Sequence, residues 1–327
     1  MMKRTPLVSV IVPNYNYARF LRQRIDSILQ QDFTDYELIL LDDASSDDSR
    51  SILESYRTNP HVACIVCNEQ NTGSPFSQWQ KGLALARGKY VWIAESDDYA
   101  ETSFLQEMVA VLECHPRAVV SFAGSSRVDP QGRILPLDND YWSRKSSLHK
   151  KGYRVFDGMS YIFHNLYWRD YIYNASGALF RREALEKADV SLCMTMHCSG
   201  DWLFWVKLAE HGQVVEVYKK LNYFRCHDIS ASTQGGRNGT AIKEDFRVVK
   251  DMEKAFPQIG IYRRTLRRGI FYKQIRRMDA APGMKQELFA ALGQTLGGGK
   301  KDFLLERANR YAGFLCPFLL TYKRDRL

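Results

Sequence analysis

The chain has 327 residues, 45% of them hydrophobic, and 46 basic against 37 acidic side chains give a net charge of +9. That length and apolar content suit one large α/β domain with an appendage, and the charge points to an anionic partner: nucleotide phosphate, anionic lipid or nucleic acid. No apolar stretch reaches the roughly 18 to 20 residues of a membrane-spanning helix, the N-terminal apolar run is too short for a signal sequence, and seven scattered cysteines suit a reducing compartment; a cytoplasmic protein is expected.

Five short runs rich in β-branched residues read as strands: "LVSVIVP" (7–13), "ELILL" (37–41), "VACIV" (62–66), "YVWIA" (90–94) and "AVVSFA" (118–123). They are apolar at successive positions, as strands covered on both faces are. Between them lie helical patterns. In "RFLRQRIDSILQQ" residues Phe20, Leu21, Arg24, Ile25, Ile28 and Leu29 share one stripe, and "SRSILESYR", "SQWQKGLALARG" and "SFLQEMVAVLE" repeat the spacing. Gly88 suits the end of the third helix, and Thr102 or Ser103 suits the cap of the fourth. Cys64 and Cys67 spell C-x-x-C inside a strand, where residues three apart face opposite ways, so two core cysteines are expected. Strand and helix alternation predicts a Rossmann-like α/β fold, a mostly parallel sheet flanked by helices.

Such a sheet binds ligands at the carboxyl ends of its strands. Asn14, Tyr15 and Asn16 fall after the first strand, Asp42 and Asp43 after the second, and Glu95, Asp97 and Asp98 after the fourth. Three carboxylates within four residues repel one another unless a cation sits among them, and Mg²⁺ or Mn²⁺ prefers carboxylate and diphosphate oxygen together. Alone, Ser-Asp-Asp reads as a helix cap; behind a buried strand it reads as a metal site. No G-x-G-x-x-G follows the first strand and no G-x-x-x-x-G-K-[ST] occurs, which counts against dinucleotide dehydrogenases and P-loop NTPases.

Further along come an aromatic run, "YIFHNLYWRDYIYNASGALF", then "GDWLFWVKLAEHG" and "QVVEVYKKLNYFRCHD", and after residue 238 strongly basic helices. Tyr161, Phe163, Tyr167, Trp168, Tyr171 and Tyr173 offer either a wall for a sugar ring or, more simply, core. Arg263, Arg264, Arg267, Arg268, Lys273, Arg276 and Arg277 recur at helical spacing, and the tail "GFLCPFLLTYKRDRL" joins a greasy segment to charge. The pair suits either an anionic membrane surface or a solvated basic face.

"VSVIVPNYNYARFLRQRIDSILQQDFTDYELILLDDASSDDS", "NTGS", "ARGKYVWIAESDD" and "GDWLFWVKLAEHG", in that order, resemble the family-2 inverting glycosyltransferases of GT-A fold. The resemblance covers about residues 6 to 230. It implies a donor half over 1–124 and an acceptor half over 125–237, and the basic helical pattern that follows is read as an extension over 238–327. It also implies that Pro13, Asn14 and Tyr15 pack around the base of a nucleotide-diphosphate sugar, a UDP-sugar foremost. Asp43 then accepts from the uracil ring beside Asp42, and Ser74 opens a helix near the phosphates or sugar. Glu95 stands where many members have aspartate, Asp97 lies near the ribose or sugar, Asp98 holds Mn²⁺ or Mg²⁺, and Asp201 is the catalytic base, preceded by Gly200 in place of the usual glutamate. His227 and Arg225, in "YFRCHDIS", are implied near the diphosphate or metal, with His227 a metal ligand. The acceptor implied is a glycan or lipid-linked glycan in bacterial surface-polysaccharide synthesis. A nucleotidyltransferase would want a glycine- and basic-rich turn in place of "PNYNYARF", and a nucleic-acid binder leaves the acidic strand ends unexplained. A catalytically silent, nucleotide-binding relative is the remaining alternative.

Overall fold

A computed structural model describes residues 5–136, 141–228 and 231–315. The chain divides into two compact units interleaved in sequence, one built from residues 1–159, 172–195 and 204–227 and the other from 160–171, 196–203 and 228–327. In chain order the elements are β1 (Val8–Asn14), α1 (Ala18–Leu29), β2 (Tyr36–Asp42), α2 (Ser49–Ser55), β3 (Val62–Cys67), α3 (Pro75–Leu85), β4 (Tyr90–Ile93), β5 (Tyr99–Ala100), α4 (Phe104–Cys114) and β6 (Ala118–Val128). Then come α5 (Tyr141–Leu148), β7 (Tyr153–Asp157), α6 (Gly158–Tyr161), β8 (Ala178–Arg181), α7 (Gly200–Ala209) and β9 (Gln213–Arg225). The remaining helices are α8 (Ala231–Asn238), α9 (Thr240–Ala255), α10 (Ile261–Arg277), α11 (Pro282–Leu296) and α12 (Lys300–Leu315).

The first unit holds a sheet of nine strands among the described residues, in the order β3-β2-β1-β4-β8-β6-β9-β5, with β7 also on β9. From β3 to β4 every pairing is parallel; β8 then runs antiparallel to both β4 and β6, and β9 returns parallel to β6. The chain leaves β1 toward β2 on one side and reaches β4 on the other. Such a reversal opens a crevice at the carboxyl ends, because the connecting helices leave on opposite faces.

Every residue of β1, β2 and β4 is buried, which explains their uninterrupted apolar runs. β3 is different. It is the edge strand, its residues are mostly half-exposed, and Cys64 and Cys67 are half-buried free thiols rather than core cysteines. α1 buries Phe20, Leu21, Ile25 and Ile28 as the stripe requires, and Arg24 with them. α3 is capped by Ser74, whose side chain accepts from the Phe76 amide at 3.3 Å, with Pro75 in the first turn.

Gly88 does not end this helix, which stops at Leu85. A Cβ at Gly88 would lie 2.5 Å from the Ser9 amide nitrogen, so glycine is required here by close approach to β1 rather than by helix termination. The Ser9 hydroxyl accepts from the Arg87 and Gly88 amides and donates to Glu37 at 2.7 Å, tying this turn to β1 and β2. Ser103 does precede α4, without a side-chain capping bond.

The second unit is helical. Tyr161, Tyr167, Trp168 and Tyr171 are buried in it, so these aromatics are core rather than a sugar wall, while Tyr173, counted with the first unit, is exposed. Residues 316–327, most of the greasy tail, lie outside the described residues.

Candidate active site

All the sequence-predicted site residues except Asp201 fall in the first unit. After β1 the chain turns through Asn16, which adopts φ 56°, and after β2 through Ala44, at φ 59°. Asn tolerates this left-handed conformation; Ala does so at a cost of roughly 1–2 kcal/mol. The two turns interlock. Asn14 donates to Asp42 at 2.9 Å, the Ser45 hydroxyl donates to Asp42 at 2.6 Å, and Asn16 accepts from the Ser46 amide at 2.8 Å. Asp42 is therefore a buried organiser of the turn, while Tyr15 at its crest is 46% exposed.

Asp43 is also buried, and its oxygens accept from Asn68 Nδ2 at 2.6 Å, Gln78 Nε2 at 2.8 Å, and the Thr72 amide and hydroxyl at 3.1 and 2.7 Å. A carboxylate offers about four lone-pair directions. The chain's own donors take them up, which bears on the expectation that Asp43 accepts directly from a base: here it shapes the loop from Asn68 to Gln78.

After β4 the three carboxylates separate by environment. Glu95 accepts from the Trp79 indole at 2.9 Å, and its amide donates to the Ser176 hydroxyl at 3.0 Å. Asp98 is 2% exposed and accepts from the Arg225 amide at 2.9 Å. Its carboxyl is pushed up to about 7, chiefly by burial and then by Asp97, against the pull of Arg24, the Arg225 amide and the Ser176 hydroxyl. Asp97, by contrast, is partly exposed and pairs with His227 Nε2 at 2.8 Å. Tyr17 and Phe20 flank that imidazole at ring distances of 5.4 Å, and the Tyr17 hydroxyl is held well above its usual pKa by burial and by the Asp97 and Glu95 charges.

Arg225 is consumed as a brace: its guanidinium donates to the carbonyls of Asp97 and Pro130 at 2.7 and 2.9 Å and to Gln23 at 2.7 Å. Arg24 is fully buried with its guanidinium over the Trp92 ring at 4.7 Å, and none of its three nitrogens has a hydrogen-bond partner. Burial lowers its pKa to about 10, opposed by the Asp98, Glu95 and Asp97 charges. It is a buried cation within electrostatic reach of the three carboxylates, in a place where the sequence shows an apolar stripe. Tyr17, Trp79 and Ser176 were likewise not legible; for Arg24 the signal was an arginine in a stripe otherwise made of Phe, Leu and Ile.

Among the described residues no three His, Cys, Asp or Glu side chains gather closely enough to enclose a metal ion. The donor set fits a different arrangement. Mg²⁺ and similar hard cations are commonly held by one or two carboxylates and completed by substrate phosphates and water, and carboxylates crowded enough to raise one pKa gain from such a charge.

Asp201 belongs to the second unit, in the first turn of α7. It accepts from the Trp202 amide at 2.8 Å, and its carboxyl is pushed up to about 7 by desolvation, with Asp245 and Glu244 adding to the rise. The loop before it is held by Glu244, which accepts from the successive amides of His197, Cys198 and Ser199 at 2.8, 2.8 and 2.9 Å. The Ser199 hydroxyl donates to Asp245 at 2.8 Å. Glu244 and Asp245 lie over forty residues from Asp201 in sequence, and nothing in the helical pattern of α9 singles them out.

A mixed sheet, parallel from β3 to β4, with carboxylates at the ends of those strands and no glycine-rich phosphate loop places a polar site on an α/β scaffold. The profile of glycosyl transferase family 2 matches residues 9–189, more than half of the chain, and the protein belongs to that family. It is 33% identical over 133 residues to a Bacillus subtilis (strain 168) glycosyltransferase named for teichuronic acid biosynthesis, TuaG, a match covering 41% of this chain and 51% of that protein. It is 33% identical over 109 residues to the poly(ribitol-phosphate) beta-N-acetylglucosaminyltransferase TarS of Staphylococcus aureus (strain Mu50 / ATCC 700699), covering 33% of this chain and 19% of TarS. The chain thus spans about half or less of the length of these relatives. The crystal structure of S. aureus TarS 1-349 in complex with UDP-GlcNAc superposes with a TM-score of 0.57 at 20% identity, covering 94% of this chain and 74% of that one. The α/β fold expected from the motifs is the fold of this neighbour.

Proposed function

We propose that the protein is a divalent-metal-dependent inverting glycosyltransferase that moves a sugar from a nucleotide-diphosphate donor, a UDP-sugar foremost, to a hydroxyl of a bacterial surface glycan, free or lipid-linked. The observation that carries this reading is the partly exposed Asp97 after β4, paired at 2.8 Å with the buried His227 that follows β9. In this reading Asp97 faces the metal and diphosphate, the buried His227 orients that carboxylate through their 2.8 Å contact, and Asp98 holds the turn from behind. That exchanges the roles expected of Asp97 and Asp98, because a carboxylate 2% exposed and bonded to a backbone amide is poorly available to an incoming ion. Tyr15, with Pro13 and Asn14 beneath it, flanks the base, and Asp42 and Asp43 support that wall through the loops they bind.

The bound cation would supply charge neutralisation at the departing diphosphate. Asp201 would take the proton of the acceptor hydroxyl, a general-base contribution of roughly 10² to 10⁴-fold, and its raised pKa suits a base working near neutrality. Exposed Leu304, Leu305 and Leu315 on α12, next to basic side chains, support attachment to an anionic membrane surface at the cytoplasmic face. No helix among the described residues is long and apolar enough to cross a membrane.

Thermal unfolding with UDP, GDP, CMP or dTDP, each with Mn²⁺ or EDTA, tests the donor site. A ligand at a hundred times its Kd stabilises by about 2.7 kcal/mol, so UDP with Mn²⁺ is expected to raise the melting temperature. EDTA or Asp97→Ala should abolish that rise. No response to any nucleotide overturns the reading; a response without transfer in any donor and acceptor screen points to the silent relative instead.

A further inference from the structure

The second unit contains a cavity of about 640 Å³ between α10 and α12, lined by Lys273, Arg276, Arg277, Arg307, Arg310 and the rings of Phe303 and Tyr311. The spacing explains the convergence: 273, 276 and 277 share one face of α10, and 303, 307, 310 and 311 share one face of α12. The two helices approach closely at Gly269, where a Cβ would lie 2.4 Å from the Asp302 carbonyl oxygen. Arg276 stacks on Phe303 at 5.2 Å and Arg307 over Tyr311 at 5.7 Å, so two guanidinium groups are held by rings rather than by carboxylates. Arg310 is paired with Glu306. Burial and the neighbouring Arg310 and Arg277 charges lower the Lys273 pKa, with Glu306 opposing.

We propose that this cavity is a binding site for a phosphate-bearing ligand of diphosphate size or larger, separate in chemistry from the acidic donor crevice. Four arginines and a lysine exceed what one carboxylate needs, and the planar guanidinium fork matches phosphate oxygens in pairs. The volume lies within the range of small-molecule sites, about 300–1,000 Å³, and the exposed Tyr311 ring offers a face to a sugar attached to the phosphate. Phosphate of this kind reaches the protein either on a soluble glycan chain or as a lipid headgroup.

The test uses the full chain in EDTA with inorganic pyrophosphate, followed by calorimetry, and with vesicles of phosphatidylcholine alone or mixed with phosphatidylglycerol, followed by co-sedimentation. The variants are Arg276→Gln with Arg307→Gln, both solvent-exposed on the cavity wall, and Lys150→Gln with Lys151→Gln as a control of equal charge change. Pyrophosphate affinity is expected to fall at least about tenfold in the arginine pair, because hydrogen bonds to charged groups are the strong ones, and to stay unchanged in the control. Pyrophosphate binding without vesicle capture assigns the site to a soluble phosphate ligand, and capture by the anionic vesicles that the arginine pair loses assigns it to a headgroup. Absence of both, or losses no larger than in the control, overturns the site.

Discussion

Ala44 holds φ at 59° directly after Asp43, at the point where β2 ends. The left-handed conformation costs alanine roughly 1–2 kcal/mol, and the extra chain entropy of glycine costs about 0.5–1 kcal/mol. The first term is the larger, so Ala44→Gly is expected to stabilise the fold by up to about 1.5 kcal/mol, read as a higher urea midpoint; a fall would mean the Ala44 methyl makes contacts that outweigh its strain. Asp201 carries a different prediction. With its carboxyl at about 7, kcat/KM should climb about tenfold per pH unit below that value and level off above it, and Asp201→Asn should remove both the slope and most of the rate. For Asp98 the linkage concerns stability. Its pKa is raised from 3.8 to about 7 on folding, so the folded state holds a proton that the unfolded chain has lost. Stability contributed below pH 3.8 is then lost as pH rises through about 7, and EDTA-treated protein should melt lower at pH 7.5 than at pH 5, less steeply in Asp98→Asn.

At the scale of elements, α1 shows how far periodicity reaches. Its 3.6-residue stripe predicts which positions are buried, and all but Leu29 of those six are. What periodicity does not give is the reason for an arginine among them. Arg24 has no hydrogen-bond partner and interacts electrostatically with Asp98, Glu95 and Asp97, so it substitutes for part of the positive charge that this knot of carboxylates requires. Removing one partner of a buried charge constellation costs about 3–5 kcal/mol, whereas methionine keeps the apolar stem over Trp92. Arg24→Met is therefore expected to destabilise at pH 8 by that order in EDTA, with recovery at pH 5, where Asp98 takes up its proton. A loss equal at both pH values would show that Arg24 acts through packing alone. The strands were legible for a comparable reason: β1, β2 and β4 are covered on both faces, and only uninterrupted apolar runs satisfy that. β3 was legible as a strand but not in its burial, because an edge strand half open to solvent can carry the same residues.

Across the whole molecule, the interleaving of the two units has a consequence for dissection. Residues 160–171 and 196–203 precede most of the second unit in sequence yet belong to it. Tyr167 donates to Glu253 at 2.9 Å, Arg267 lies 5.5 Å from the Trp202 ring, and Glu244 accepts from three amides just ahead of Asp201. A chain cut after residue 237 loses Glu244, Glu253 and Arg267 together and leaves three buried or half-buried amides without their acceptor, at about 1–3 kcal/mol each. Such a fragment is expected to be insoluble or to lose cooperative unfolding in calorimetry. A fragment that melts like the intact chain would mean that residues 160–171 and 196–203 need nothing from α9 and α10.

The order of strands and helices, the family and the clustering of polar residues at the strand ends were determined by sequence, because each depends on local periodicity and on residues close together in the chain. The division of labour inside the cluster was decided only by tertiary structure. Asp97 and Asp98 are neighbours of the same type, and what separates them arrives from far away: the Arg225 amide, 127 positions from Asp98, and the His227 ring, 130 positions from Asp97. The same holds for Asp43, whose lone pairs are taken by donors 25 to 35 residues on, and for Asp201, whose pKa is set partly by carboxylates on α9. Desolvation and hydrogen bonding are properties of a place in space, and a carboxylate's proton affinity is fixed there rather than in its sequence.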